Sequence, residues 1–284
     1  IAIESKSFFK DVCERFVKNK RAMIALVIFL IIALMAIFGP MISPYSYDGM
    51  DTAIMNQRPS TAHWFGTDRF GRDLFTRVLY GARISLMVGI VTAVINTIIG
   101  VIYGGIAGYV GGRVDMWMMR LTDILYSIPE LLYIILIMLI FGSNVRSIII
   151  GVCVAGWISM ARMVRSQIIT LKEQEFALAA FVLGANSRRI LFKHLIVNSL
   201  GTIIVTVTLM IPQAIFMEAF LSFVGVGISA PMASLGTLAQ DARTYLEIFP
   251  YQMLFPVAAI CVTIFSLNFI GEGLNSALNP KGKR

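Results

Sequence analysis

An all-α, polytopic membrane protein with six transmembrane helices is what this sequence predicts, and three observations carry the prediction. The composition is 57% hydrophobic and only 14% charged, with a mean hydropathy of +0.80, which excludes an ordinary water-soluble domain. The apolar residues come in continuous runs of about the 20 residues a helix needs to cross a bilayer, not in the alternating segments of a barrel. The lysines and arginines behind the net charge of +8 lie between these runs, which fits orientation in a membrane better than a nucleic-acid stripe.

The runs place spans at 23–42, 85–109, 116–141, 148–164, 200–224 and 253–274. The chain divides accordingly into an amino-terminal segment 1–22, a first helix 23–42, an extracytoplasmic loop 43–84, a five-helix core 85–274 containing a cytoplasmic loop 165–199, and a tail 275–284. The first run follows a basic leader, as in a secretory signal peptide, but it lacks a small-x-small cleavage site and exceeds the usual apolar region, so an uncleaved span is expected. Ile1 in place of methionine suggests a natural start upstream. With the amino terminus inside, only Arg58, Arg69, Arg72, Arg77, Arg83, Arg146 and Arg243 of the 24 basic residues fall outside, which favours two cytoplasmic termini, although the first external loop is basic for its side.

In the second span Gly89, Gly100, Gly104, Gly105 and Gly108 predict close helix packing. Pro129 and Pro212 predict kinks in the third and fifth spans, either as plain structural bends or where a pathway satisfies the freed carbonyls. Cys13, Cys153 and Cys261 show no metal or redox spacing and read as small apolar fillers.

Between the fourth and fifth spans, Lys172 to Arg189 reads as a short helix, a stop and a second start. Glu173 and Glu175 suit a helix front, Gly184 a left-handed stop, and Ser187 a cap for the helix beginning Arg188-Arg189. Phe176, Ala179, Ala180 and Leu183 recur at helical spacing, so one apolar face can enter the groove of a soluble partner or, alternatively, lie on lipid headgroups.

This segment resembles the EAA loop of ABC-importer permeases, whose pattern is Glu-Ala-Ala, three residues, Gly, then nine residues and Ile-x-Leu-Pro. Ala179, Ala180 and Gly184 match, while Leu178 replaces the glutamate and His194, Ile196 and Val197 replace Ile, Leu and Pro. His63 to Asp73 followed by Leu79 to Leu86, Gly111 to Leu125, and Glu218 to Gly227 with Asn268 to Leu274 are similar to the C-type subunits of dipeptide, oligopeptide and nickel importers. The resemblance covers nearly the whole chain. It implies a type I ABC-importer permease fold, a homologous second permease, two cytoplasmic ATPase subunits that bind ATP and Mg, and an extracytoplasmic substrate-binding protein. It also implies that Glu175, Phe176, Ala179, Ala180, Leu183, Gly184, Ala185 and Arg188 couple to the ATPases.

In the external motif, Gly66 and Gly71 suggest special backbone angles, and Asp68, Arg69, Arg72 and Asp73 either pair among themselves or meet a docked binding protein. Glu218 is either a structural acceptor for backbone amides near Gly225 or a pathway residue, and Arg120 and Asp123 are spaced to pair at the start of the third span. The chain lacks the phosphate-cradling GxxxxGK[ST], HExxH and GxSxG patterns, so an enzyme is not expected and no cofactor is assigned to it. Import of nickel or another small solute is the alternative within the family. A self-contained secondary transporter is the alternative outside it, and would need paired broken helices.

Overall fold

The computed structural model describes residues 8–278, so the ends of both predicted tails, with Lys6, Lys281, Lys283 and Arg284, lie outside the described residues. An amphipathic helix α1 (Phe8–Lys18) leads into α2 (Lys20–Ile42), whose start is capped by the Asn19 side chain. After the external loop come α3 (Leu74–Val110), α4 (Gly112–Ser127), α5 (Glu130–Phe141), α6 (Val145–Ala155), α7 (Trp157–Lys172) and α8 (Glu175–Val182). A turn α9 (Ser187–Arg189) and a wide π-helical turn (Ile190–Leu195) open onto α10 (Ile196–Val224), followed by α11 (Leu235–Arg243) and α12 (Tyr251–Leu278).

Five helical stretches among the described residues are long and apolar enough to cross a membrane: α2, α3, α6 with α7, α9 through α10, and α12. The sixth expected span is a broken one. Helices α4 and α5 meet at Ile128–Pro129 with a bend of 76°, so the single helix expected over 116–141 is two half-helices. Proline removes a backbone donor and disfavours helical geometry in the residue before it, and Ile128 is accordingly extended, with ψ at 128°. Pro212, by contrast, sits inside a continuous α10. The second span begins at Leu74 rather than at 85, so residues 74–84 are helix and not loop.

The glycines of α3 act where the sequence placed them. Gly100 faces Met160 and Trp157, Gly104 lies directly against the Ala161 backbone, and a Cβ on Gly108 would stand 2.7 Å from the Arg165 carbonyl oxygen. These residues, four apart, form a seam on which α7 rests backbone to backbone. Gly105 faces elsewhere, and a Cβ there would meet only side-chain tips at 3.6 Å. Gly89 makes the corresponding approach to Ile211 and Ile215 of α10. One apolar cluster, including Met160, Val164, Ile168 and Leu195, fills the end near α8, and another, including Leu74, Val78, Leu235 and Leu267, fills the end near the external loop.

Gly104→Ala is therefore expected to destabilise the protein by about 1–3 kcal/mol, the usual cost of overpacking, and Gly105→Ala to leave it near wild type. Thermal unfolding of the two purified variants in detergent checks the contrast.

Candidate functional site

Three places gather the residues that the sequence singled out. The first is the short helix α8. Gln174 precedes it with extended geometry, Glu175 occupies its first turn, and Glu173 ends α7 instead of starting α8. Its end is a Schellman motif: Ala185 N–H donates to the Ala180 carbonyl at 3.0 Å and Gly184 N–H to that of Phe181 at 2.9 Å, with Gly184 at φ +80°. The next helix is capped by Asn186, whose side chain accepts from Arg189 N–H at 2.8 Å, so the cap expected at Ser187 lies one residue earlier.

Of the four residues of the expected α8 face, Phe176, Ala179 and Leu183 are exposed, and Ala180 turns inward. Ala177 and Ala180 turn inward onto the cluster that contains Val164, Ile168 and Leu191, while Phe176, Leu178, Ala179, Phe181, Val182 and Leu183 are exposed. Alanine's small volume lets this side settle against α7 and the π-helical turn, leaving the bulky residues on the other. Val182 and Leu183 are 83% and 86% exposed at the tip, beside the exposed Arg188.

The second place is the external loop. Asp73 caps α3, accepting from Thr76 N–H and from the Thr76 hydroxyl at 2.7 Å each, and its other oxygen is 2.9 Å from Nδ1 of His63. Asp68 accepts from Phe70 N–H, Arg72 N–H and Arg72 Nε, the last at 2.6 Å. Gly66 and Gly71 adopt φ of +78° and +70°, and Gly71 presses on the backbone of Asp51 where no side chain fits. The loop is pinned to the start of α12: the Tyr251 hydroxyl donates to the Gln57 carbonyl at 2.8 Å, Gln252 Nε2 donates to the Thr67 carbonyl at 3.0 Å, and Phe65 stacks on Phe255.

The ion pairs of this loop are internal, and they include two residues that sequence reasoning missed. Arg72 reaches Asp241 of α11 at 3.4 Å, Arg77 lies between Asp68 at 3.6 Å and Asp241 at 3.5 Å, and Arg69 stands 3.8 Å from Asp241. Asp241 is remote in sequence from the motif, so no local pattern identifies it. Arg77 follows the motif by four residues, one helical turn beyond Asp73, which is a signal that helical periodicity offers.

The third place is the membrane interior. Glu218 is fully buried, and its carboxylate accepts from the Ser85 hydroxyl at 2.6 Å and the Ser222 hydroxyl at 2.9 Å. Its partners are therefore serine hydroxyls rather than the backbone amides near Gly225, which instead close a Schellman motif on Leu221 and Ser222. Glu218 ties α3 to α10 and does not border the main cleft. Arg120 and Asp123 do not pair with each other. Asp123 binds Arg162 at 2.9 Å, Asp115 receives a two-pronged hydrogen bond from Arg165, and Arg120 is exposed without an ion pair among the described residues. Of the cysteines, Cys153 is half-buried whereas Cys13 and Cys261 are exposed, so the last two do not fill the core of this chain.

At mid-depth a cleft of about 680 Å³ opens beside the α4–α5 break. Both prolines singled out in the sequence, Pro129 and Pro212, line it, together with Asn96, Glu130, Gln213 and Asn268. A secondary transporter would show breaks in matching halves of the chain, and the described residues contain one bent pair.

These features define a multi-pass helical membrane protein with a largely apolar cleft carrying a few polar side chains and a short apolar helix displayed at one end. Residues 100–284 match the family model of the binding-protein-dependent transport system inner membrane component, and residues 7–59 match that of the N-terminal TM domain of oligopeptide transport permease C. The chain belongs to the family of binding-protein-dependent transport system inner membrane components. It is 48% identical to the oligopeptide transport system permease protein OppC of Bacillus subtilis over 99% of this chain and 92% of that protein. It is 47% identical to the dipeptide transport system permease protein DppC of the same organism over 99% of this chain and 88% of the relative, and 45% identical to OppC of Escherichia coli over 100% and 94%.

Removing a buried partner exposes the cost of the external network. Asp68→Ala leaves two buried guanidinium groups short of a counter-charge and is expected to lower stability by about 3–5 kcal/mol. Arg162→Ala, which breaks a pair exposed on both sides, is expected to cost less than about 1 kcal/mol. Thermal melts of both variants at low and high salt measure the difference.

Proposed function

We propose that this chain is a transmembrane permease subunit of an ATP-driven, binding-protein-dependent importer of oligopeptides or dipeptides, working beside a homologous second permease, two cytoplasmic ATPases and an extracytoplasmic binding protein. The observation that carries the reading is the near-complete overlap, at 48%, 47% and 45% identity, with relatives named as oligopeptide and dipeptide permeases. ATP and Mg belong to the ATPase partners, and this chain converts their movement into opening and closing of the pathway.

Helix α8 supports the coupling role. Its outer face offers Phe181, Val182 and Leu183 to a partner groove, its inner alanines seat it on α7, and the Gly184 stop fixes the angle at which the chain leaves. An ATPase pair that grips this helix differently in its open and closed states supplies the differential contact that coupling requires. In this reading both termini and the segment 165–199 are cytoplasmic, the loop 43–84 with α11 is extracytoplasmic, and the mid-depth cleft borders the peptide pathway.

Co-expression with the neighbouring genes, followed by purification, tests the assignment. Wild type is expected to carry ATPase subunits along, and Phe181→Asp with Leu183→Asp to lose them while the permease pair remains, because both side chains point away from this chain's own core. Retention of the ATPases by the double variant would move the coupling surface elsewhere.

A further inference from the structure

We propose that the cleft beside the α4–α5 break is a substrate subsite within the permease, in which the Glu130 carboxylate receives an ammonium group of the passing peptide. The inference rests on the peptide-import reading and adds a selectivity element inside the membrane. Glu130 is the one charged residue of the cleft lining, and it is half-buried. Among the described residues it takes part in no hydrogen bond or ion pair. Glu218, Asp115 and Asp123 have their answers in this chain, in two serine hydroxyls, Arg165 and Arg162, whereas Glu272 of α12, which likewise has none among the described residues, is exposed and lies outside the cleft lining.

A lone carboxylate at membrane depth is costly and faces a wet cavity or a cation. Its place in the first turn of α5 lowers the cost through the helix dipole but leaves the negative charge in the cleft uncancelled. Asn96 gives a second, independent sign. It is 3% exposed, borders the same cleft, and its buried Oδ1 accepts no hydrogen bond. Gly156 leaves the room its amide occupies, since a Cβ there would overlap Nδ2. Buried acceptors left unpaired carry a desolvation cost of about 1–3 kcal/mol, so an orphan beside an unpaired carboxylate marks a place that a donor fills. Gln213, Ser159 and Asn268 add neutral polar groups on the facing walls. The cleft volume of about 680 Å³ accommodates an amino-terminal residue or a lysine side chain. The lining offers an ammonium group one carboxylate with neutral amide and hydroxyl oxygens around it and offers a carboxylate no fixed cation, so it favours peptides that present positive charge.

The test uses the whole complex in proteoliposomes, driven by saturating peptide-loaded binding protein, and compares uptake of Ala-Lys-Ala with uptake of Ala-Glu-Ala. Glu130→Gln is expected to lower the ratio of lysine to glutamate peptide uptake about tenfold, the scale of one charge-assisted contact, with the affinity of the binding protein for each peptide unchanged. Gln213→Glu adds a carboxylate to the facing wall and is expected to raise the ratio. An unchanged ratio in both variants overturns the subsite, and so does loss of the second permease from the Glu130→Gln complex, which would make Glu130 an inter-subunit ion-pair partner. A wild-type complex that hydrolyses ATP but imports neither peptide overturns the peptide reading itself, and this inference with it.

Discussion

The backbone contact between α3 and α7 is the constraint on which the rest of the structure depends. Lipid offers helices no hydrophobic reward for association, so packing at short range has to hold them together. Gly100, Gly104 and Gly108 remove the side chains that would keep the two backbones apart. Three consequences follow from that one approach. Gly156 is carried against Asn96 at the wall of the cleft, Arg165 comes opposite Asp115, and the Lys172 ammonium reaches the Tyr109 carbonyl at the end of α3. Because α7 leads within three residues into α8, the same seam fixes where the exposed short helix is displayed.

What the sequence made legible was local chemistry. Continuous apolar length marked the six spans, four-residue glycine spacing marked the seam, and Gly184 marked a helix stop that the structure closes as a Schellman motif. What it hid was set by contacts far along the chain. Nothing near Asp68 names Asp241, 173 positions away by number, and spacing within α4 could not show that Asp123 prefers Arg162 of α7 over Arg120 of its own helix. On α8, Phe176, Ala179 and Leu183 are exposed as their spacing indicated, and Ala180 alone of that set turns inward, for a similar reason. Periodicity identifies an apolar stripe, but which side faces inward depends on volume, and the small side, Ala177 and Ala180, is the one that fits against Ile168. The Pro129 break was legible as a kink, whereas its 76° angle depends on how α5 packs on α6, where Gly151 meets Ile134.

The external loop resolves an apparent conflict with charge topology. Seven basic residues on the expected outer side weaken the positive-inside signal. Arg69, Arg72 and Arg77 are committed to Asp68 and Asp241, two of them with side chains only 6% and 3% exposed, so they are structural charges rather than free ones. The loop behaves as a folded plate. It is fastened to α3 by Asp73, to α11 by Asp241 and to α12 by Tyr251 and Gln252, which is how 31 residues with hardly any regular structure between α2 and α3 hold one shape.

Comparison of these contacts indicates where the molecule yields. The seam between α3 and α7 is buried backbone against backbone, and the external plate is held by buried charge; neither gives way cheaply. Helix α4 is joined to α7 by two ion pairs, of which Arg162–Asp123 is exposed on both partners, and its contact with α3 includes one hydrogen bond from the Tyr103 hydroxyl to the Met118 carbonyl. Exposed pairs contribute on the order of 0–1 kcal/mol, so the Arg162–Asp123 pair adds little to the hold on α4 and the two-pronged Arg165–Asp115 pair carries most of it. Helix α7 is the element that joins α8 to α4, through Arg162 and Arg165. The 76° break at Pro129 sets where α4 ends against the cleft, which both Ile128 and Pro129 line. Helix α7 is thus held to α3 by the stiff seam on one side and to α4 on the other by one exposed ion pair, Arg162–Asp123, and one partly buried two-pronged pair, Arg165–Asp115.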